Sequence, residues 1–527
     1  MSQTSPPTKK SSSFRFLLPL SYGPDYFGYP KSFFVKRRKY VRSLDICNNM
    51  WNSNKPAPIK LRHLKYVSSL TSTFDKAFRR TMEKALRPCI KTIKNVKVSS
   101  THSIKTIILL NRYLSDLKSF SLELRDIEAI ESLRNLRRTE NLKISFRIAD
   151  REVNEIYQEE NYFKRIAMKR MIFEAPKVTP EEIMKITKLI PKSTRLHFEL
   201  DELSPGIGLQ SFKDKLTRKI HGIRLKQPSN NSVDWLAQNT GSLMENLTHL
   251  HLGKEESIKK YELNQETNYT LFSKLGELKG LKSLKLNLKL TFRFAIVDEA
   301  MQFFKLFTLP VGLETLSLRL EGIVMKGRAA MKSDDFGWIF EQLGNLKELK
   351  ALKLYFYVNT FCPKFWKDFV SQFPKGLPKL EILDAEVRML NSETFIKPEG
   401  VFEWAHSHPM LRSVRLDIPF PDVFQEIFIE KIRCLERFSV SVAHLKTELK
   451  SIKFLANMEG LKYLNLKILK SNDFGKTLEI VNKYLSAIEN LKGMKLKFVE
   501  APSLWLYYSQ PRSKKGRIFS VGINSWN

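Results

Sequence analysis

A short apolar line, Leu-x-x-Leu-x-Leu, returns along this chain and limits what it can fold into. Its clearest copies are Leu281-Lys-Ser-Leu284-Lys-Leu286-Asn-Leu288, Leu313-Glu-Thr-Leu316-Ser-Leu318-Arg-Leu320, Leu349-Lys-Ala-Leu352-Lys-Leu354-Tyr-Phe356 and Leu461-Lys-Tyr-Leu464-Asn-Leu466-Lys-Ile468. The last positions of each copy alternate apolar and polar, the pattern of a strand with one buried and one exposed face. Starts of the line fall at 93, 117, 139, 168, 193, 220, 247, 281, 313, 349, 380, 411, 435, 461 and 491. A spacing of roughly 28 residues is that of stacked repeat units. The copies starting at Thr139, Ser193 and Ile220 are weak, and their neighbours carry their register. Val41-Arg-Ser-Leu44-Asp-Ile46 and Leu61-Arg-His-Leu64 read as degenerate copies ahead of the series.

Between the strand lines the period changes. Phe336, Ile339, Phe340 and Leu343 share one helix face, with Ser333 as N-cap and Asp334 and Asp335 complementing the dipole. Thr179-Pro180-Glu181-Glu182 supplies a capping box with Pro at the first helical position, ahead of Ile183, Ile186 and Ile190. Leu478, Val481, Leu485 and Ile488 form another stripe. Strand, loop, helix, loop is the expected unit. That alternation requires parallel strands, because each helix returns the chain to start the next strand alongside. A helix is about 10 Å across and strands pair at about 4.8 Å, so an arc is expected, with strands on its concave side and helices on its convex side.

Taken together, these copies resemble the leucine-rich-repeat superfamily, in a divergent form of the ribonuclease-inhibitor-like class with long helical units. The fold class implied is α/β, a curved leucine-rich-repeat solenoid. The resemblance covers residues 93–498, with the core pattern well kept at Leu281, Leu284, Leu286 and at Leu349, Leu352, Leu354. It departs three positions beyond the third leucine. The family's Asn or Cys is replaced there by Lys289, Glu321 and Tyr357. The strand gains instead a further apolar residue, at Leu288, Leu320, Phe356, Val387, Ile418, Val442, Ile468 and Phe498, so longer strands and less regular turns are expected. The resemblance implies a recognition scaffold far more often than an enzyme.

The organisation expected is an irregular or disordered segment at 1–34, an N-terminal cap with degenerate repeats at 35–92, the solenoid at 93–500, and a cap with a basic tail at 501–527. In the last, Trp505, Leu506, Tyr507 and Tyr508 precede Arg512, Lys514, Lys515 and Arg517. Aromatic residues here are suited to covering the open end of a solenoid, and interleaved with cations they also suit single-stranded nucleic acid. Apolar residues make up 42% of the chain, enough for a core, which excludes wholesale disorder. Cys47, Cys89, Cys362 and Cys434 form no close pair, which argues for a reducing compartment and against a zinc or disulfide framework. The apolar run after Lys9, Lys10 and Arg15 is short for a signal peptide, and nothing reaches the ~18 residues of a membrane helix. An intracellular protein, cytoplasmic or nuclear, is expected, in which the sequons at Asn230, Asn246 and Asn268 carry little meaning.

The net charge of +34 favours anionic partners: nucleic acid, acidic protein surfaces or anionic lipid. Lys36-Arg37-Arg38-Lys39 suits an import signal or nucleic-acid patch, and equally an exposed edge. One exposed strand column runs Lys97, Ser121, Lys143, Ile172, His197, Arg224, His251, Lys285, Ser317, Lys353, Asp384, Arg415, Ser439, Asn465 and Lys495. It holds more cations than composition alone predicts, and stacked like charges on neighbouring strands repel unless a ligand or counter-charge relieves them. The next column mixes Glu123, Glu174, Glu199, Glu386 and Asp417 with Lys226, Arg319, Lys467 and Lys497, so pairing across columns can neutralise part of the field. The residues expected to meet a partner are Lys143, Arg224, His251, Lys285, Arg319, Lys353, Tyr355, Arg415, Lys467 and Lys495.

No catalytic, cofactor or metal site is expected. His249 and His251, followed by Glu255 and Glu256, suggest a metal until Arg224 is placed beside His251, where a cation opposes binding. His406-Ser-His408 reads as a helix end. Gly206-Ile-Gly208 lacks the third glycine and the Lys-Ser/Thr sequel of a phosphate loop, and no GxSxG or HExxH is present. The chain thus reads as a non-enzymatic scaffold binding a protein through the concave face. Nucleic-acid or other polyanion binding is the alternative. A ubiquitin-ligase substrate receptor comes third, with only Leu18-Pro19 to suggest an F-box.

Overall fold

The computed structural model describes residues 43–46, 69–74, 94–101, 116–124, 136–146, 160–203, 219–239, 246–253, 262–290, 292–294, 308–325, 337–358, 377–389, 407–420, 435–445, 460–471, 493–498, 504–509 and 518–523. The chain divides into two compact units, Met1–Ile223 and Arg224–Asn527. The second copy ahead of the series (residues 61–64), the Lys36–Lys39 run, the stripe from 478 to 488 and the Gly206-Ile-Gly208 stretch lie outside the described residues.

Unit 1 is a parallel ladder of β1 (Ser43–Ile46), β2 (Ser69–Phe74), β3 (Asn95–Thr101), β4 (Asp116–Leu124), β5 (Arg138–Phe146), β6 (Ala167–Val178) and β7 (Arg195–Leu203). Ser43, Ser69, Asn95, Ser119, Asn141, Arg170 and Arg195 stand side by side in it. From Asn95 onward each lies two residues past a start of the sequence line, so the weak copies at Thr139 and Ser193 keep register. Leu142, Ile144, Leu196 and Leu200 are fully buried, and Phe173 meets Phe198 edge to face with centroids 5.9 Å apart. α1 (Glu160–Arg165) precedes β6, and α2 (Pro180–Leu189) joins β6 to β7. The capping box at the start of α2 is formed. Thr179 Oγ1 accepts from the Glu182 amide at 3.2 Å, and Glu182 Oε2 accepts from the Thr179 amide at 2.8 Å. At the other end the buried Lys219 ammonium donates to the Thr187 and Ile190 carbonyls at 2.8 and 2.7 Å, satisfying groups the helix leaves open.

The division falls within β8 (Ile220–Leu225). In unit 2 the main ladder is β9 (His249–Leu252), β11 (Ser283–Leu290), β13 (Thr315–Met325), β14 (Ala351–Val358), β15 (Ile382–Met389), β16 (Ser413–Phe420), β17 (Arg437–Leu445), β18 (Tyr463–Ser471) and β19 (Gly493–Phe498), all parallel. The short β10 (Glu262–Leu263) and β12 (Phe292–Phe294) extend β11 and β13 at their far ends. β20 (Leu504–Ser509) and β21 (Ile518–Ile523) then add antiparallel. α3 (Asn230–Gln238), α4 (Gln265–Leu275) and α5 (Gly337–Gly344) lie between strands. Ser229 caps α3 and Asn264 caps α4, while Thr267 Oγ1 donates to Asp234 Oδ2 at 3.0 Å and links the two. Asn268, the third sequon, is fully buried on α4. Each ladder is an open parallel-stranded α/β solenoid of the leucine-rich-repeat kind.

Leucine burial explains the order. Leu281, Leu284, Leu286, Leu313, Leu316, Leu318, Leu349, Leu352 and Leu354 are all fully buried and stack strand on strand. Ahead of each strand one carbonyl accepts two successive amides from the next repeat. Thr248 O takes Lys282 and Ser283 at 2.9 and 3.0 Å, Lys282 O takes Glu314 and Thr315 at 2.8 and 2.9 Å, and Glu314 O takes Lys350 and Ala351 at 2.9 and 3.1 Å. From β11 to β18 the residues at this position alternate in charge: Lys282, Glu314, Lys350, Glu381, Arg412, Glu436, Lys462. Glu314 accepts from Lys282 at 3.0 Å and Lys350 at 2.8 Å, and Glu436 pairs with Lys462 at 2.6 Å. Hydrogen bonds from Lys350 and Lys282 pull the Glu314 carboxyl down to about 2.

The extra apolar position past the third leucine is in register across Leu288, Leu320, Phe356 and Val387. It breaks at β16. Leu416 faces Val440, but Pro419 then faces Ser441 and Phe420 faces Val442, so Phe420 rather than Ile418 continues the column there. Proline lacks the amide that an unbroken ladder needs, which makes Pro419 a natural place for the shift.

Leu284→Ala should cost about 2–5 kcal/mol as a buried truncation, while Lys285→Ala should be nearly neutral; chemical denaturation compares the two. Glu314→Gln should cost about 1 kcal/mol or less, because the pairing is at the surface. The Glu314 carboxyl lies lower in the fold than in the unfolded chain, so its contribution is present above about pH 5 and lost as pH falls toward 2. Melting curves across that window should show wild type and Glu314→Gln converging.

Candidate functional site

Positions between the buried leucines form columns across each ladder, mostly exposed, with His197, Ser317 and Asp384 buried among them. In unit 1 the register sets Lys97, Ser121, Lys143, Ile172 and His197 in one row. Glu123, Ser145, Glu174 and Glu199 form the next. Lys143 bridges the two. Its ammonium lies 2.8 Å from Glu199 and 3.0 Å from Glu174, and Ser145 Oγ donates to Glu174 at 2.7 Å. Burial pushes the Lys143 amine down, but the two carboxylates outweigh it and its affinity for the proton rises. The row therefore neutralises itself at its centre. His197 is buried, with Nδ1 at 3.4 Å from Arg170 Nη2. Its ring occupies the space a side chain at residue 222 would need, since a Cβ on Gly222 would fall 2.1 Å from His197 Nδ1.

In unit 2 the middle column is continuous. His251, Lys285, Ser317, Lys353, Asp384, Arg415, Ser439, Asn465 and Lys495 stand opposite one another through eight strand pairings. The Gly253 amide donates to Leu225 O at 2.8 Å, which brings His251 alongside Arg224. Gly253 has φ +89°, and Asn287 O occupies the place of a Cβ, so the turn leaving β9 requires glycine. Arg319, Tyr355 and Glu386 form the neighbouring column. Lys467 stands opposite Ser441 and Lys497. Nine of the ten residues singled out from the sequence thus belong to unit 2, and Lys143 to unit 1.

The column in unit 2 changes character along its length. On β9, β11, β13 and β14 the middle column and the column of Arg319 and Tyr355 carry no Asp or Glu, and Asp384 and Glu386 follow in them on β15; one column further along the face, β13 carries Glu321 opposite Tyr357. Burial lowers the His251 imidazole to about 3, and the charges of Lys285 and Arg224 push it the same way. Its Nε2 lies 3.2 Å from Ser283 Oγ. The cations that oppose a metal at His251 are therefore in place. At β15 Asp384 is 8% exposed. Its Oδ2 accepts from the Tyr355 hydroxyl at 3.0 Å, and Arg415 Nε lies 3.6 Å from Oδ1, which accepts no hydrogen bond. Burial raises the Asp384 carboxyl against the pull of Arg415, Tyr355 and Lys353, and burial also raises the Tyr355 phenol. Arg319 lies over the Tyr355 ring at 5.6 Å from its centroid.

Sequence reasoning placed these columns from the two-residue period alone. It missed Lys219 as the cap of α2, the seat that Gly222 makes for His197, and the charge alternation at the strand entries. The last was visible, from Lys282 to Lys462, as the residue following each first leucine.

No protein-family model matches the sequence, and no curated protein matches it. Among solved structures the chain is similar to that in a TLR13–ssRNA13 complex, at 12% identity and TM-score 0.34, over 87% of this chain and 64% of that one. It is also similar to a chain of the mouse RP105/MD-1 complex, at 13% identity and TM-score 0.35, over 89% and 68%. The chain thus spans about two thirds of the length of these proteins, and its fold assignment rests on its own ladders. Among the described residues no helix is long and apolar enough to cross a membrane, and no cluster of His, Cys, Asp and Glu has metal-binding geometry.

Because His251 holds its proton less firmly in the fold than unfolded, its contribution to stability is full above about pH 6.5 and is lost as pH falls toward 3. NMR titration should find its ring neutral at pH 5, and His251→Gln should flatten the pH dependence of stability over that interval.

Proposed function

We propose that this chain is a non-enzymatic scaffold that binds a protein partner through the exposed strand face. The observation supporting it is the unbroken polar column across nine strands of unit 2, held in register by the leucines beneath. Such a surface offers many side chains fixed at about 4.8 Å intervals with little ordering cost, which suits a broad protein interface and not an enclosed reaction site. Lys143, Arg224, His251, Lys285, Arg319, Lys353, Tyr355, Arg415, Lys467 and Lys495 are the contact residues in this reading. We read the face as concave and the repeats as a divergent ribonuclease-inhibitor-like class, with helices such as α2, α3 and α4 closing the units. An intracellular setting accords with the scattered cysteines.

The net charge of +34 supports a second reading, binding of nucleic acid or another polyanion. A pull-down from native cells with wild type and Lys285→Glu/Lys353→Glu separates the two. Protein partners lost on charge reversal support the scaffold. Partners unchanged by it would remove the strand face from the assignment. Capture of RNA or DNA that falls steeply with salt would favour the second reading.

A further inference from the structure

We infer that Arg170 and Arg195, at the start of the strand face in unit 1, form a binding site for a single phosphate group carried on a serine or threonine side chain of a partner polypeptide. The inference goes beyond the reading above and uses none of the ten contact residues named there. Its first support is register. Arg170 on β6 stands opposite Arg195 on β7, in a row whose other members are Ser43, Ser69, Asn95, Ser119 and Asn141. Like charges directly opposed on neighbouring strands cost stability, and a bound anion removes that cost. Among the described residues neither guanidinium makes an ion pair. The carboxylates of the adjoining strands are engaged elsewhere. Asp116 stands opposite Arg138, Glu140 meets Lys169 at 3.4 Å, Glu174 and Glu199 converge on Lys143, and Glu202 stands opposite Lys177. Asp201 lies about 20 Å further along β7 than Arg195, at 3.3 Å per residue.

The second observation is how Arg170 rests. Its Nη2 lies 3.4 Å from His197 Nδ1, and because a guanidinium only donates, the ring nitrogen accepts. The ring is seated against Gly222, so it directs the guanidinium across the face toward β7. Arg170 Nε is covered and donates to nothing, and a covered donor without an acceptor costs free energy. The side chain is thus oriented but short of acceptors. An anion at the Nη groups supplies them, and by drawing the guanidinium outward also frees Nε to donate. Arg195 is exposed and approaches from one strand away, about 4.8 Å. Asn141 stands on the other side of Arg170 in the same row and brings a side-chain amide.

Charge distribution then selects the ligand. From β4 to β7 the three face columns hold Arg170, Arg195 and Lys143 against Glu123, Glu174 and Glu199. The face is balanced as a whole, yet Arg170 and Arg195 share its first column and all the carboxylates its third. A polyanion gains little from such a face. Its further phosphates would run along the strands toward the glutamates, or across them over Asn141, Ser119 and Asn95, which carry no charge. One phosphate dianion matches two guanidinium groups in charge and in the geometry of their forked donors, and a carboxylate brings half that charge. Ile172, two residues past Arg170 on the same face, gives the rest of the segment an apolar contact.

The test uses the full chain and fluorescence anisotropy with a Gly-Ala peptide of about eight residues carrying one central phosphoserine. The same peptide with Ser or Glu at that place, and an oligouridylate of about 12 nucleotides, are the comparisons. The phosphoserine peptide should bind, the Ser peptide should not, and the Glu peptide should bind about tenfold more weakly or not at all. Arg170→Gln/Arg195→Gln should weaken phosphoserine binding by about tenfold or more, and Arg195→Gln alone, at an exposed position, by about threefold or more. Lys169→Gln and Lys285→Glu/Lys353→Glu should leave it unchanged. Circular dichroism confirms that the variants are folded. Equal binding of the Ser and phosphoserine peptides, or phosphoserine binding unaffected by the arginine variants, overturns the inference. So does inorganic phosphate that binds as tightly as the peptide, which makes the ligand a free anion, and so does oligouridylate bound more tightly through the same arginines. If cellular protein partners are lost with Lys285→Glu/Lys353→Glu yet the phosphoserine peptide fails to bind, the scaffold reading stands and this inference alone falls.

Discussion

One carbonyl in each repeat accepts two successive amides of the next, and the rest of unit 2 depends on that hold. It fixes where each strand begins against its neighbour. Strand side chains alternate faces, so a slip of one residue would bring Leu284, Leu286 and their counterparts to the surface and bury Lys285 and Lys353. The hydrophobic stack and the paired amides therefore enforce the same register. The first supplies most of the energy and the second the directionality.

Register also decides the electrostatics of the exposed face. Once columns are aligned, which charges meet is determined by sequence alone. In unit 1 the alignment sets Lys143 between two glutamates and the field closes on itself. In unit 2 the same architecture aligns Lys285 with His251 on one side and Ser317 on the other, and the first carboxylate within that column is Asp384 on β15. Two ladders of one design thus present different faces. The difference lies in side chains that contribute little to the core, which is why such a surface is free to specialise without loss of the fold.

Much of the architecture was legible because leucine burial is periodic and local. The LxxLxL copies located strand after strand, and Thr179-Pro180-Glu181-Glu182 identified a helix start to the residue. The columns followed from the same period, including the approach of Arg224 to His251. What escaped were contacts joining residues distant in sequence with no periodic signal. Lys219 reaches back to carbonyls at 187 and 190, and Gly222 matters only because His197 needs its space. The shift at Pro419 was hidden because Ile418 fits the apolar pattern equally well; only the missing proline amide tells against an unbroken ladder. Asp384 read as one acidic entry in a basic column, and its burial against Tyr355 depends on a pairing between strands that no single repeat contains.

The alternation of Lys282, Glu314, Lys350, Glu381, Arg412, Glu436 and Lys462 bears on how such a chain can grow. Removing the repeat that carries Glu381 would set Lys350 against Arg412, whereas removing Glu381 and Arg412 together would set Lys350 against Glu436. At this edge the module that can be gained or lost without opposing like charges is a pair of repeats. Between β11 and β18 a ladder whose hydrophobic period is one unit thus has an electrostatic period of two, and over that stretch the unit of change is the doublet.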